Sequence, residues 1–144
     1  MWQDKISFEP FKDKYILLED YQDETITVPR GFVFNGCSIP SLFYMLIGTP
    51  FDPQFIKGAL VHDWLYTIHC YDKEKADNIF YINLRYSKVT RWKAKLMKNA
   101  VKLFGGIAWK NNKEDLKELA KLKDELIKSG EKDLEKYGWK NELL

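Results

Sequence analysis

The chain lacks the features that most quickly assign a function. Only two cysteines occur among its 144 residues, Cys37 and Cys70, and without a disulfide framework they read as free thiols. No charge sign dominates. The 23 Lys and Arg face 21 Asp and Glu for a net charge of +2, so the cationic excess that displaces counterions from nucleic-acid phosphates is missing. The longest apolar run, Leu42 to Ile47, falls far short of the ~20 residues of a membrane-spanning helix. The opening Met1-Trp2-Gln3-Asp4-Lys5-Ile6 has no basic segment leading into an apolar one, which predicts no signal peptide and no Sec-type export.

What is present is a rich aromatic share, 15%, within 45% apolar residues. That composition excludes disorder for most of the chain, and the length suits one domain burying roughly two-thirds of its unfolded surface. Residues 1 to 34 read as β: Tyr15 to Glu19 and Thr25 to Val28 are strand-like, with Asp20-Tyr21-Gln22-Asp23 as turn chemistry between them. Val28-Pro29-Arg30-Gly31 has the residue preferences of a type I turn, and Phe32-Val33-Phe34 resumes extension. From Pro53 the period becomes helical. Phe55, Ala59, His62, Tyr66 and His69 form one stripe. Asp72 caps a second helix with Ala76, Ile79, Phe80, Asn83 and Leu84 inward, and Thr90 a third with Met97, Ala100, Val101 and Phe104 inward. Gly105-Gly106 ends it.

Residues 111 to 144 change character: 17 of the 34 are charged, leaving Leu116, Leu119, Leu122 and Leu126 as a narrow apolar stripe. The expected architecture is α+β: a small N-terminal antiparallel sheet packed on a three-helix core over residues 1–110, with a charged amphipathic helical extension over 111–144.

The chemistry concentrates on the first two helices. His62 supplies a neutral imidazole suited to proton transfer or metal ligation. Tyr66 shares its face one turn on, whereas Asp63 lies about 100° round the helix. The short connection from Thr67 to Asp72 forces an antiparallel pair, which brings Asp77 within about one helical turn of the level of His62. Asp77 can then fix the His62 tautomer as the acid of a triad does, leaving Asp63 for a cation. A buried structural lock between the helices accounts for the same spacing. His69, near the helix end, is a lesser ligand candidate. Upstream, Asn35-Gly36-Cys37-Ser38 lets the chain turn and expose backbone groups to an ion or an oxyanion. Ser38 or Cys37 as nucleophile lacks the G-x-S-x-G elbow, and a turn in which Ser38 caps a short helix explains the segment equally.

Three ordered motifs carry a resemblance. Gly31-Phe32-Val33-Phe34-Asn35-Gly36-Cys37-Ser38-Ile39-Pro40, Val61-His62-Asp63-Trp64-Leu65-Tyr66 and Lys75-Ala76-Asp77-Asn78-Ile79-Phe80 resemble the family known as domain of unknown function 1353, over residues ~15–110. Its members occur mainly in tailed bacteriophages and prophages, which implies a phage-type protein of the host cytoplasm or the virion. The helix pair is also similar to that of calcium-dependent secreted and parvoviral phospholipases. That similarity implies His62 as base for a water, Asp63 as calcium ligand, Asp77 as orienting acid and Tyr66 as its hydrogen-bond partner. The Gly-x-Gly calcium loop of those enzymes is absent, though carbonyls at Asn35-Gly36 are available.

Two functions follow. One is a small hydrolase with catalytic His62, Asp77 and Tyr66, with Asp63 and Asn35 holding Ca²⁺ or Zn²⁺, and with Gly36, Cys37 and Ser38 lining the site. Its substrate would be a lipid, a cell-envelope component or another small molecule. The other is a non-catalytic virion, assembly or host-interaction protein that meets a phage partner through its C-terminal helix. Lys88, Arg91, Lys93, Lys95, Lys98 and Lys102 make the third helix basic, but its solvated amphipathic face explains them better than nucleic acid does.

Overall fold

Two units divide the chain, residues 1–35 with 112–144 and residues 36–111. The computed structural model describes residues 5–34, 52–110 and 113–140. Among these, the strands are β1 (Phe8–Phe11), β2 (Lys14–Leu17), β3 (Tyr21–Gln22), β4 (Thr27–Val28) and β5 (Val33–Phe34). The helices are α1 (Ile56–Ile68), α2 (Lys73–Tyr86), α3 (Arg91–Phe104), α4 (Gly106–Lys110) and α5 (Lys113–Lys128), followed by a 3₁₀ turn at Glu135–Tyr137. Antiparallel strands followed by helices make the protein α+β, as the sequence pattern implies.

In the first unit, the strand order β1-β2-β5 forms a three-stranded antiparallel sheet and β3-β4 a separate hairpin. Tyr15 lies opposite Phe34, and Phe8 packs edge-on to both rings, so cross-strand aromatic contact sets the sheet's register. Both turns fall later in the chain than the sequence pattern implies, the first by three residues and the second by one. Tyr21 and Gln22 are strand; the turn follows at Asp23, whose Oδ1 accepts from Thr25 N–H (2.7 Å), the Thr25 hydroxyl (2.6 Å) and Ile26 N–H (2.9 Å). The side chain thereby mimics the backbone acceptor of a turn. In the next, Phe32 N–H donates to the Pro29 carbonyl, which places Gly31 at the third position with φ +87°. That is the left-handed conformation that glycine supplies to a type II turn, in place of the type I turn expected.

Gly31 has a second role. A Cβ there would stand 2.9 Å from Leu122 Cδ1, so a side chain at this position would push the end of Leu122 aside in addition to straining the backbone. The α5 stripe is buried at Leu119, Leu122 and Leu126, whereas Leu116 in its first turns stays exposed. Beyond the helix, Tyr137 is fully buried and its hydroxyl sits between two carboxylates, Asp20 Oδ2 at 2.7 Å and Glu131 Oε2 at 3.0 Å. Arg30 donates to Asp20 (3.2 Å), Glu131 (3.5 Å) and the Tyr137 oxygen (3.3 Å). Lys136, first, and the Asp133 N–H hold the Glu131 carboxyl down at about 2.

The second unit is helical. Its core joins Phe55 and Ala59, at and beyond the start of α1, to Phe80 and Leu84 of α2 and to Ala94, Met97, Ala100 and Val101 of α3. The Asp72 side chain caps α2 by accepting from Lys75 N–H at 2.8 Å, whereas Thr90 gives α3 no side-chain cap. α1 is buried nearly all round, with Leu60, Val61, Trp64 and Leu65 as covered as the expected stripe; a helix apolar on every face is a core helix.

Tyr137→Phe should remove the buried hydroxyl between Asp20 and Glu131 and leave Arg30 and Lys136 as the cations that still bridge the two carboxylates. The expected loss is about 1–3 kcal/mol of stability, read from urea unfolding with an unchanged slope.

Candidate functional site

The site grows from one carboxylate at the level where α1 and α2 pair. Asp77, buried on the inner face of α2, meets three donors. His62 Nε2 lies 2.8 Å from Oδ1, the Tyr66 hydroxyl donates to the same oxygen at 2.7 Å, and the Lys73 ammonium donates to Oδ2 at 2.8 Å. His62 and Tyr66 stand one turn apart on α1, with ring centroids 4.1 Å apart. Phe80 closes on His62 at 4.7 Å from the other helix. The antiparallel pairing inferred from the short connection thus puts His62, Tyr66 and Asp77 together.

Lys73 is the partner that sequence reasoning missed. Its ammonium also reaches the carbonyls of Val101 (3.1 Å) and Lys102 (3.3 Å), in the last turn of α3. Unsatisfied carbonyls at a helix C-terminus favour such a cation. The Lys73-x-x-x-Asp77 spacing was a readable signal, since residues four apart face each other on a helix. Gly105 completes the enclosure: a Cβ there would collide with the Val101 carbonyl oxygen and come within 2.6 Å of the Tyr66 hydroxyl.

Electrostatics follow from burial. For Asp77, burial disfavours ionisation, but the hydrogen bonds from His62, Lys73 and Tyr66 outweigh it and hold the carboxyl below its ordinary range. For His62, burial is the largest influence and lowers its pKa; the bond to Asp77 opposes this, and the Lys73 charge adds to it. Burial and Asp77 together push the Tyr66 phenol far up. His62 is therefore neutral, and because an ionised carboxylate only accepts, Nε2 carries the hydrogen. Nδ1 keeps the lone pair. It is buried and has no hydrogen-bond partner among the described residues.

Other candidates lie elsewhere. Asp63 is half-buried on α1. His69, in a left-handed conformation at the end of α1, stacks on Trp109 with centroids 3.7 Å apart. Asn35, Gly36, Cys37 and Ser38 lie outside the described residues. Among the described residues, no three of His, Cys, Asp and Glu come together as a metal-ligand set.

A family model described as "Protein of unknown function (DUF1353)" matches residues 12–101. The chain belongs to this family. The matched span contains His62, Tyr66, Lys73 and Asp77 and ends at Val101. Two relatives are uncharacterised proteins of Sinorhizobium fredii (strain NBRC 101917 / NGR234). One, y4jT, is 35% identical over 78 residues covering 54% of this chain and 23% of its own length. The other, y4iH, is 34% identical over 71 residues, 49% of this chain and 30% of its own. This DUF1353 chain thus spans less than a third of either relative. No solved structure matches it.

The neutral burial of His62 fixes a pH dependence. Its folded pKa lies below the ordinary 6.5, so its contribution is complete above about pH 6.5 and lost as pH falls below that value, where the unfolded imidazole takes up a proton first. Lys73→Met should raise the His62 pKa by removing a neighbouring positive charge, which ¹⁵N NMR titration of the ring nitrogens measures directly.

Proposed function

We propose that this DUF1353 protein is a hydrolase in which His62 is the general base and Asp77 its orienting acid. The observation that carries the reading is Nδ1 of His62: a lone pair on a neutral imidazole whose other nitrogen is held by a carboxylate. A base for a water needs that arrangement, with tautomer and ring plane fixed before the substrate arrives. Nδ1 would take a proton from water as the water oxygen attacks an ester or amide carbonyl carbon. Collapse of the tetrahedral intermediate breaks the C–O or C–N bond, and the His62 proton passes to the leaving alcohol or amine. Asp77 stabilises the transient imidazolium, and Tyr66 and Lys73 hold Asp77. The likeness to the phospholipase helix pair supports the same roles and directs attention to phospholipid esters.

Asp63 is the carboxylate ligand next to His62 in sequence, and its proposed co-ligand Asn35 and the site-lining Gly36, Cys37 and Ser38 lie outside the described residues. A thermal shift with Ca²⁺ that Asp63→Asn abolishes is the expected result for a metal-assisted site; no shift with Ca²⁺ or Zn²⁺ counts against metal assistance.

Assays use p-nitrophenyl esters, phosphatidylcholine vesicles and peptidoglycan fragments. His62→Ala and Asp77→Asn should each reduce turnover by about 10²–10⁴-fold in variants that still melt cooperatively. The acid limb of kcat/KM should fall below pH 6.5, because His62 titrates below its ordinary value. An active double variant overturns the proposal.

A second reading is favoured by the burial of His62, which is only 1% exposed. Here the His62–Asp77 bond locks the helix pair of a non-catalytic phage virion, assembly or host-interaction protein. Under this reading no substrate turns over, and His62→Ala costs several kcal/mol, about 3–5 for a broken buried pair.

A further inference from the structure

The helical unit has a surface that neither reading uses. Between Asp77 and Glu114 the sequence places nine basic residues and no acidic one. α3 sorts this stretch by face. Ala94, Met97, Ala100 and Val101 are buried, while Trp92, Lys95, Lys102 and Leu103 are exposed within about 100° of the opposite side of the helix. Ile107, four residues past Leu103, continues the exposed apolar surface into the first turn of α4. The exposures are large: 58% for Trp92, 73% for Leu103 and 79% for Ile107.

We infer that the outward face of α3, together with the first turn of α4, docks on an anionic lipid surface. Trp92, Leu103 and Ile107 enter the boundary between headgroups and acyl chains, and Lys95 and Lys102 meet the negative headgroups. Composition selects this partner. Protein interfaces are depleted in lysine at their cores, whereas helices that lie in a membrane surface combine Lys and Arg with Trp, Phe and Leu. Nucleic acid would use the lysines and stack on Trp92, but it leaves the aliphatic Leu103 and Ile107 without a role. Exposed apolar groups set among cations of one sign gain from both burial and headgroup attraction. The inference is independent of hydrolysis, because its readout is binding alone.

Flotation of the full chain with vesicles of phosphatidylcholine, or of phosphatidylcholine with 30% phosphatidylglycerol, tests it. The protein should float with the anionic vesicles only, and high salt should weaken the association. Leu103→Ser with Ile107→Ser should lower partitioning by about tenfold or more. Lys95→Glu with Lys102→Glu should lower it by about thirtyfold or more. All four side chains are exposed, so both double variants should keep the wild-type melting temperature. Absence of flotation overturns the inference, as does flotation unchanged by Leu103→Ser with Ile107→Ser. Retention on duplex DNA without vesicle binding overturns it in favour of nucleic acid.

Discussion

The helical unit is organised around a carboxylate that must stay ionised while out of water. Removing a charge from solvent costs several kcal/mol after relaxation, and this is recovered only if strong donors surround it. Asp77 gathers three donors of different chemistry: an imidazole and a phenol from α1, and an ammonium from its own helix that also ends α3. The apolar core of Phe55, Phe80, Leu84 and Met97 holds the helices together without direction. Asp77 adds direction, because sliding α1 along α2 by one turn would leave the carboxylate facing apolar side chains.

The same constraint fixes the chemistry available to His62. Two effects compete at the ring: burial drives it neutral, and the carboxylate favours the cation. Burial and the Lys73 charge win, and the imidazole stays neutral beside its ionised carboxylate. Had Lys73 been apolar, Asp77 would have had one fewer donor to offset burial, and His62 would have lost a nearby charge that keeps it neutral. Lys73 therefore steadies Asp77 and keeps His62 neutral while holding the end of α3.

Much of this was legible in the sequence because it depends on local periodicity. The 3.6-residue repeat puts Tyr66 over His62, and a short connection sets the level of Asp77, so three of the four polar residues follow from spacing. The Asp72 cap and the end of α3 before Gly105 were equally local. Lys73 was overlooked because a lysine at the start of a helix reads as a solvated charge, although its four-residue spacing from Asp77 marked the pair. The Val28–Gly31 turn was placed one residue early and the Asp20–Asp23 turn three residues early, since Asp, Gly and Pro identify a turn better than they fix its first residue. The network joining Arg30 and Asp20 to Glu131 and Tyr137 was out of reach. Its members lie about a hundred residues apart, and no periodicity in either segment refers to the other.

That separation distinguishes the two units. The helical unit is built from consecutive segments, with its core drawn from residues 55 to 101. The strand unit needs both ends of the chain: the Gly31 turn accommodates Leu122, and the Tyr137 hydroxyl stands between Asp20 and Glu131. Bringing those ends together closes a loop over residues 36–111, at an entropy cost that grows slowly with loop length. If the intervening residues are already folded as a helical unit, fewer of them remain flexible when the ends meet. Short-range helix pairing around Asp77 can thus precede long-range pairing around Tyr137, the order expected when local contacts form before distant ones.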